Sequence, residues 1–160
     1  MKKVLMTLVL AVMGFASASA QFESDKLYLG STLNGINLSY SDSKNLSLGF
    51  GAQAGYMFEQ DWLAIGEVGF DFHSKDLQST FIGAKCRYFI EQNGIFLQAG
   101  AKYVHAAKSY NDVVLTPEVG YCFFLNGHLT VEPSIYFDMS VTDFSKKSEF
   151  GLKIGLGWYF

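Results

Sequence analysis

A strict two-residue alternation of side-chain type constrains the fold of this chain more than any other feature. It is clearest in residues 148–160, where every second side chain is large and apolar. The residues between them are glycine, Glu149, Lys153 and Tyr159. Successive side chains of a β-strand point to opposite faces, so the pattern predicts a strand with two unlike faces. This segment alone does not show whether its apolar face meets a protein core or lipid.

Alternating segments of the same kind recur along the chain and are separated by polar turns. Such segments exceed the ordinary globular strand of about 5 to 6 residues and suit a tilted membrane-crossing strand of about 9 to 11. We therefore predict an all-β fold, an eight-stranded antiparallel up-and-down transmembrane β-barrel. The predicted strands are residues 27–40, 46–58, 62–73, 79–90, 95–106, 113–125, 129–142 and 149–160.

From the second segment onward, the charged residues fall on one face of each predicted strand. A Lys or Arg on the lipid face at the bilayer midplane costs about 2–4 kcal/mol, so the charge-free face is predicted to meet lipid. A soluble barrel of lipocalin type, with the apolar face inward, is the alternative. The charges predicted to form an interior network are Glu67, Asp71, Lys85, Arg87, Lys102, Glu118, Glu132, Asp138 and Lys153.

These interior charges are expected to pair, because an unpaired buried charge is costly. Inward glycines on the last, first and second predicted strands are expected to leave room for long charged side chains. A filled, plugged interior is the main prediction, and a narrow pore for small solutes is the alternative. The glycines are Gly30, Gly49, Gly51, Gly55, Gly151, Gly155 and Gly157. The pairs that the registers allow are Glu67 with Lys85, Lys102 with Glu118, and Lys153 with Glu132 or Asp138.

Two kinds of irregularity interrupt the alternation. The apolar face of the first segment switches across Asn34-Gly35, which we interpret as a glycine bulge. A hairpin at this dipeptide, giving nine strands, is the alternative. Pro117 and Pro133 lie inside predicted strands of a closed sheet, where each removes a hydrogen-bond donor, so local bulges are expected there.

Residues 1–20 have the parts of a secretory signal peptide. Lys2 and Lys3 precede an apolar run over 4–15 that is too short to span a bilayer, and Ala18-Ser19-Ala20 offers a small-residue cleavage site. We expect a cleaved signal peptide over 1–20 and one barrel domain over 21–160. The chain has 12 Lys and Arg against 15 Asp and Glu, and no basic patch, so nucleic acid is not an expected partner.

An even number of strands places both chain ends on one side, which is the periplasm in outer-membrane barrels. The short turns 59–61, 91–94 and 126–128 are then periplasmic, and the loops 41–45, 74–78, 107–112 and 143–147 face outward. Lipid-facing aromatic residues near the periplasmic strand ends are expected to form a girdle at the headgroup level. They are Tyr56, Phe58, Trp62, Tyr88, Phe123 and Trp158.

Candidate chemical sites are few. Cys86 is predicted to face lipid and Cys122 to face inward, so a disulfide between them is not expected. The pairs His73-Ser74 and His105 with Ser109 are candidates for a membrane-surface lipid hydrolase, but neither has a convincing third member. No cofactor, no metal site and no enzymatic activity are expected.

The eight alternating segments and the terminal Trp158-Tyr159-Phe160 resemble the small outer-membrane barrels of OmpA and OmpX type, including the lone outer-membrane β-barrel domains. The resemblance implies an outer-membrane location in a Gram-negative-type envelope and a structural or surface-interaction role, adhesion included. It also implies outer-membrane lipids, periplasmic chaperones and the barrel assembly machinery as partners. Trp158, Tyr159 and Phe160 would be the assembly signal. Neither the pattern nor the resemblance indicates an oligomeric state.

Overall fold

The computed structural model describes residues 24–36, 47–73, 76–90, 93–106, 110–142 and 148–160. Within these residues, no helix is long and apolar enough to cross a membrane. The chain in these ranges forms strands β1 (Leu27–Ile36), β2 (Ser47–Glu59), β3 (Trp62–His73), β4 (Asp76–Phe89), β5 (Ile95–Ala106), β6 (Tyr110–Tyr121, continued by Phe123–Phe124), β7 (Leu129–Ser140) and β8 (Glu149–Tyr159).

The strands form one closed antiparallel sheet. Each pairs with the next in the chain, and β8 pairs with β1 from Tyr28–Tyr159 to Ile36–Leu152. Because this last ladder joins the first strand to the last, no strand among the described residues is left with a free edge. The predicted eight-stranded up-and-down barrel is confirmed, with strand bounds that differ from the expected ones by a few residues.

The apolar face of the barrel points outward. Ile82 is 61% exposed, and Phe50, Val68 and Phe150 are each about half exposed. The alternate residues, including the charged Lys85 and Glu118, are buried in the interior. The soluble lipocalin-type alternative is therefore wrong, because it requires the apolar face to line the interior.

The predicted glycine bulge in β1 is confirmed. The pairing of β1 with β8 shifts register between Asn34 and Ile36, so Gly35 is the extra residue. β1 continues through this position to Ile36, which excludes a hairpin at Asn34-Gly35 and the nine-strand alternative. The rest of the predicted first strand, residues 37–40, lies outside the described residues.

The bulges predicted at the two prolines are wrong. β6 pairs with β7 on both sides of Pro117 and again beyond Cys122. The register of the ladder is the same in all these parts, whereas a bulge would shift it. Each proline interrupts this ladder without inserting a residue. The ladders on their other sides are continuous through Pro117–Ala99 and Pro133–Ile154, and they hold both strands in register.

Three short turns lie at one end of the barrel, which we call the turn end. Gln60-Asp61 links β2 to β3, and Asp61 has a positive φ of 65°. Asn93 Oδ1 accepts from the Ile95 amide, and Asn126 Oδ1 accepts from the amides of His128 and Leu129. These side-chain bonds replace backbone partners in tight turns, which explains the Asn-Gly sequences there. Gly94 takes the left-handed conformation, with φ of 89°.

The opposite end is called the loop end here. β4 already begins at Asp76, which pairs with His73, and β6 begins at Tyr110. The predicted loops 74–78 and 107–112 are therefore shorter than expected. Periodicity could not mark these strand starts, because polar residues near the loop end of a barrel lie outside the apolar belt.

Candidate functional site: the filled interior of the barrel

The turn end of the interior is closed by apolar side chains. These residues come from within a few positions of the turns, on the inward face of their strands. Leu63, Met57, Phe89 and Phe96 have no exposed surface. The cluster, called the apolar stopper below, consists of Tyr28, Met57, Leu63, Ile65, Phe89, Phe96, Cys122 and Tyr159, with Phe124 packed against it.

Arg87 lies directly above the apolar stopper and reaches across the interior from β4. Its Nη1 is 2.7 Å from Glu132 Oε2 and 3.2 Å from the Tyr159 hydroxyl oxygen. Its Nε donates to Gln98 Oε1 at 2.8 Å. The guanidinium also stacks over Phe96, with Cζ 4.1 Å from the ring centroid. A planar cation can satisfy its donors at its edges and bury its face on an aromatic ring, which suits arginine to this boundary.

A second layer of charge lies at mid-height. Lys85 Nζ is 2.5 Å from Glu67 Oε2, which is the pair that the hairpin register predicts. Lys153 Nζ is 2.6 Å from Glu118 Oε2, and Lys85 Nζ is 3.9 Å from the same oxygen. Each of these side chains is at least nine-tenths buried. The two lysines therefore share one carboxylate, and the layer spans the barrel from β3 to β8.

The other predicted pairings are wrong. Lys102 pairs with Asp138, with Nζ and Oδ2 2.5 Å apart, and does not pair with Glu118. Lys153 pairs with Glu118, and neither Glu132 nor Asp138 is its partner. Hairpin registers rank partners on adjacent strands, but the interior of an eight-stranded barrel is narrow enough for long side chains to reach past a neighbouring strand. In both observed pairs the partners lie two strands apart, β5 with β7 and β6 with β8.

Some interior carboxylates accept hydrogen bonds from neutral hydroxyl groups. Asp71 accepts a hydrogen bond from Ser79 at 3.1 Å. Closer to the loop end, Asp112 accepts from Ser140 at 2.5 Å and from Thr142 at 2.8 Å. Hydroxyl donors compensate a carboxylate less strongly than a cation does, and this half of the interior is also less closed. The Lys102 and Asp138 side chains are 15% and 16% exposed.

Glycines on the inward face provide the space for these groups. A methyl group added at Gly157 would overlap the Glu132 carboxylate, the Thr130 hydroxyl and the Tyr28 ring. At Gly100 it would overlap the stem of Lys85. The expected glycine positions thus accommodate aromatic rings as well as long charged side chains. Gly100 has the same role on β5, although the glycines were expected only on the last, first and second strands.

Several interior residues escaped the sequence analysis. Gln53 donates to Glu67 at 3.2 Å, and Gln98 donates to Glu118 at 2.8 Å, so neutral amides link the charged layers. Asp112 was placed in a loop because the predicted sixth strand began too late. The apolar stopper is not among the sequence predictions, which concern the charged inward residues. Large apolar residues on the inward face beside a turn, such as Phe89 and Phe96, were the signal that could have revealed it.

The exterior aromatic residues of the expected girdle lie in a row near the turn end. Trp62 contacts Tyr88, with ring centroids 4.9 Å apart, and Phe58, at 6.4 Å. The Tyr56 hydroxyl donates to Asp25 Oδ1, and the Phe123 ring packs 4.4 Å from that of Tyr121. These positions are where the girdle was expected, and its role at the headgroup level stays a prediction.

The three residues of the expected assembly signal have different surroundings. Trp158 and Phe160 are about half exposed on the outer face. Trp158 stacks on His128, with ring centroids 6.2 Å apart. Tyr159 is 3% exposed and points into the interior. The inward residue of this segment is thus part of the apolar stopper.

The remaining candidates are the two cysteines and the two histidine–serine pairs. Cys86 is exposed on the outer face and Cys122 is buried inside, as their parity predicts. His105 Nδ1 lies 2.6 Å from Asn111 Oδ1 at the loop end. Ser74 and Ser109 lie outside the described residues. No group of His, Cys, Asp and Glu within the described ranges has the geometry of a metal site.

Comparisons with known proteins agree with this architecture. The family model of the outer membrane protein beta-barrel domain matches residues 7–160. The N-terminal β-barrel domain of Pseudomonas aeruginosa OprF is similar, with a TM-score of 0.63 and 12% identity over 86% of this chain and 98% of that one. The Yersinia pestis outer membrane protein Ail has a TM-score of 0.55 and 14% identity over 86% and 100%.

A de novo designed transmembrane β-barrel has a TM-score of 0.54 at 11% identity, over 88% of this chain and 99% of that one. At such identities these structures share the fold alone. No curated protein sequence matches the chain significantly. The family match extends over the whole barrel, and the structure has the closed eight-stranded architecture with an apolar outer face. The chain therefore belongs to the family of outer membrane protein beta-barrel domains, and it is an outer-membrane protein of a Gram-negative-type envelope.

Proposed function

We propose that the protein is a sealed, non-catalytic barrel that has a structural or surface-interaction role in the outer membrane. The observation that carries this proposal is the apolar stopper, which closes the turn end with side chains from strands all around the barrel. Above it, the Arg87–Glu132 and Lys85–Glu67 pairs occupy the lumen. A small outer-membrane barrel without a conducting lumen acts through its surfaces.

The same arrangement argues against the pore alternative. An ion entering from the loop end would first meet polar groups such as Lys102 and Asp138, which can replace water. It would then have to pass Phe89 and Phe96, which offer no polar atoms. Moving an unpaired ion into apolar surroundings is very costly, so the seal is at the apolar stopper and the ion pairs are secondary to it.

Conductance in planar lipid bilayers tests the seal. We expect the purified wild-type protein, folded by its heat-modifiable gel migration, to give no unitary current steps. Phe89→Ala with Phe96→Ala removes two rings of the apolar stopper and is expected to admit ions. Lys102→Met, a substitution in the more open half of the interior, should give no current steps and serves as the control. Regular current steps from the wild-type barrel would contradict the proposal and favour the narrow pore.

The surface-interaction role is tested separately, through the connections at the loop end. Replacement of residues 107–109 or 143–147 by short Gly-Ser linkers leaves the described strands intact. We expect such variants to reach the outer membrane at wild-type levels and to lose binding to other cells or to neighbouring envelope components. Unchanged binding with both segments replaced would count against the surface-interaction role and favour the structural one.

Outer-membrane lipids are the proposed contact of the exposed apolar belt. Periplasmic chaperones and the barrel assembly machinery are the proposed partners of the unfolded chain. Measured binding of the chain to the assembly machinery, with and without Phe160→Ala, would test the expected signal. Equal binding of the two forms would show that Phe160 is not part of the assembly signal.

A further inference from the structure

The ladder between β1 and β8 closes the barrel, and it is referred to here as the seam. It joins the two strands that are farthest apart in the chain, at Leu27–Ile36 and Glu149–Tyr159. Contacts between such distant segments have the highest loop-closure cost, so this ladder is expected to form late. A device that holds the seam would therefore control how long the barrel stays closed.

Both seam strands present a tyrosine to one carboxylate inside the barrel. The Tyr28 hydroxyl of β1 donates to Glu132 Oε2 at 3.1 Å, and the Tyr159 hydroxyl of β8 donates to Glu132 Oε1 at 3.2 Å. The two rings contact each other, with centroids 4.9 Å apart. Glu132 lies on β7 and also accepts from the Thr130 hydroxyl at 2.8 Å. One carboxylate thus connects the two sides of the seam.

Arg87 fixes this carboxylate from the far wall. It lies on β4, which is diametrically opposite β8 in the closed sheet. Its Nη1 contacts Glu132 Oε2 at 2.7 Å and donates to the Tyr159 hydroxyl oxygen at 3.2 Å. Arg87, Glu132, Tyr28 and Tyr159 are each 3% exposed or less. Because water does not compete inside the cluster, each of its hydrogen bonds keeps its strength.

We propose that Tyr28, Tyr159, Glu132 and Arg87 form a closure latch, which holds the seam shut at the turn end and slows its opening. The four groups come from β1, β8, β7 and β4, so the complete cluster exists only when the barrel is closed. Glu132 and Tyr159 lie on adjacent strands, so the contacts that need a closed barrel are those of Tyr28 and Arg87. We expect the Tyr28 contact, which crosses the seam, to form after the seam has paired. Contacts absent from the transition state for closing act mainly on the opening rate.

Native-state amide hydrogen exchange on the full chain in detergent micelles tests the closure latch. The variant Tyr28→Phe/Tyr159→Phe keeps both rings and removes both hydroxyls. We expect the amides of residues 28–32 and 155–159 to exchange about tenfold faster than in the wild type, since hydrogen bonds to a charged acceptor are lost. The amides between β3 and β4 should change less than about twofold, because opening of the seam alone leaves that ladder paired.

A pair of cation substitutions provides the matched comparison. Arg87→Met and Lys85→Met each remove a buried cation that pairs with a carboxylate, but Lys85 does not contact the seam tyrosines. Arg87→Met is expected to accelerate exchange at the seam, and Lys85→Met around β3 and β4. The proposal is overturned if the double phenylalanine variant exchanges at the seam no faster than the wild type. Acceleration spread evenly around the barrel would overturn it too. Should Arg87→Met fail to fold, the phenylalanine variant still decides.

Discussion

At the scale of single residues, the two faces of the wall place opposite demands on glycine. Inward glycines are sites where another side chain occupies the space that a Cβ would take, as Glu132 and Tyr28 do at Gly157. Gly66 faces outward, where a Cβ would meet nothing nearer than the Ala54 carbonyl oxygen at 3.9 Å. The same residue type is thus required on one face and replaceable on the other.

We therefore expect Gly157→Ala to destabilise the barrel by about 1–3 kcal/mol, the usual cost of overpacking a filled interior. Gly66→Ala should be neutral or stabilising by up to about 1 kcal/mol, because alanine restricts the unfolded chain more than glycine does. The free energy of unfolding, from urea titration in phospholipid vesicles, measures both. Equal stabilities of the two variants would mean that the interior around Gly157 can relax.

At the scale of strands, the sequence predicted the positions of the strands well and the pairs formed by their interior side chains poorly. Each strand could be found because lipid outside and polar groups inside impose a period of two over its whole length. Strand starts at the loop end, such as Asp76 and Tyr110, could not be predicted, because the alternation of apolar and polar residues is not required beyond the apolar belt. Partner choice, as for Lys102, depends on three-dimensional distances between strands that are not adjacent, which no hairpin register contains.

The Lys102–Asp138 pair, which links β5 to β7, gives a quantitative check of that partner choice. Lys102→Met should cost about 1–3 kcal/mol, because it leaves Asp138 with Thr116 as its remaining hydrogen-bond donor among the described contacts. Asp138→Asn should destabilise the Lys102→Met variant less than it destabilises the wild type. A double-mutant cycle would detect this difference as coupling.

The control for this cycle combines Lys102→Met with Glu118→Gln. Glu118 accepts from Lys153, Gln98 and Ser134, and Lys102 is not among its partners. Their effects should therefore add within experimental error. Coupling to Glu118 in place of Asp138 would mean that the partner on the adjacent strand, and not the one two strands away, is correct.

At the scale of the whole molecule, the barrel is asymmetric along its axis. The turn end combines the apolar stopper inside with the aromatic row outside. The interior towards the loop end contains more polar groups, among them Asp112, Lys102 and Asp138, and the last two are partly exposed. Both tryptophans, Trp62 and Trp158, lie at the turn end and are 39% and 45% exposed. In a bilayer they are expected to lie at one interface, which is the place that aromatic rings prefer.

Depth-dependent fluorescence quenching in vesicles tests this position. Lipids brominated near the headgroup should quench the wild-type emission more than lipids brominated near the chain end. Ile82→Trp, in a background with Trp62→Phe and Trp158→Phe, places the probe at mid-barrel and should reverse that order. Stronger quenching of the wild-type protein by the deep label would contradict the expected girdle.

The interior charges also have a consequence for the route by which the chain reaches its membrane. They are spread over β3 to β8, so each of these strands carries at least one ionisable side chain while it is unfolded. A helical insertion machinery selects long continuous apolar stretches, and charged residues at the centre of a segment oppose such insertion by about 2.5–3.5 kcal/mol each. The mean hydropathy of the chain is accordingly only +0.16. We therefore expect that the residues that fill the finished barrel also keep its unfolded strands from being retained in an inner membrane during export.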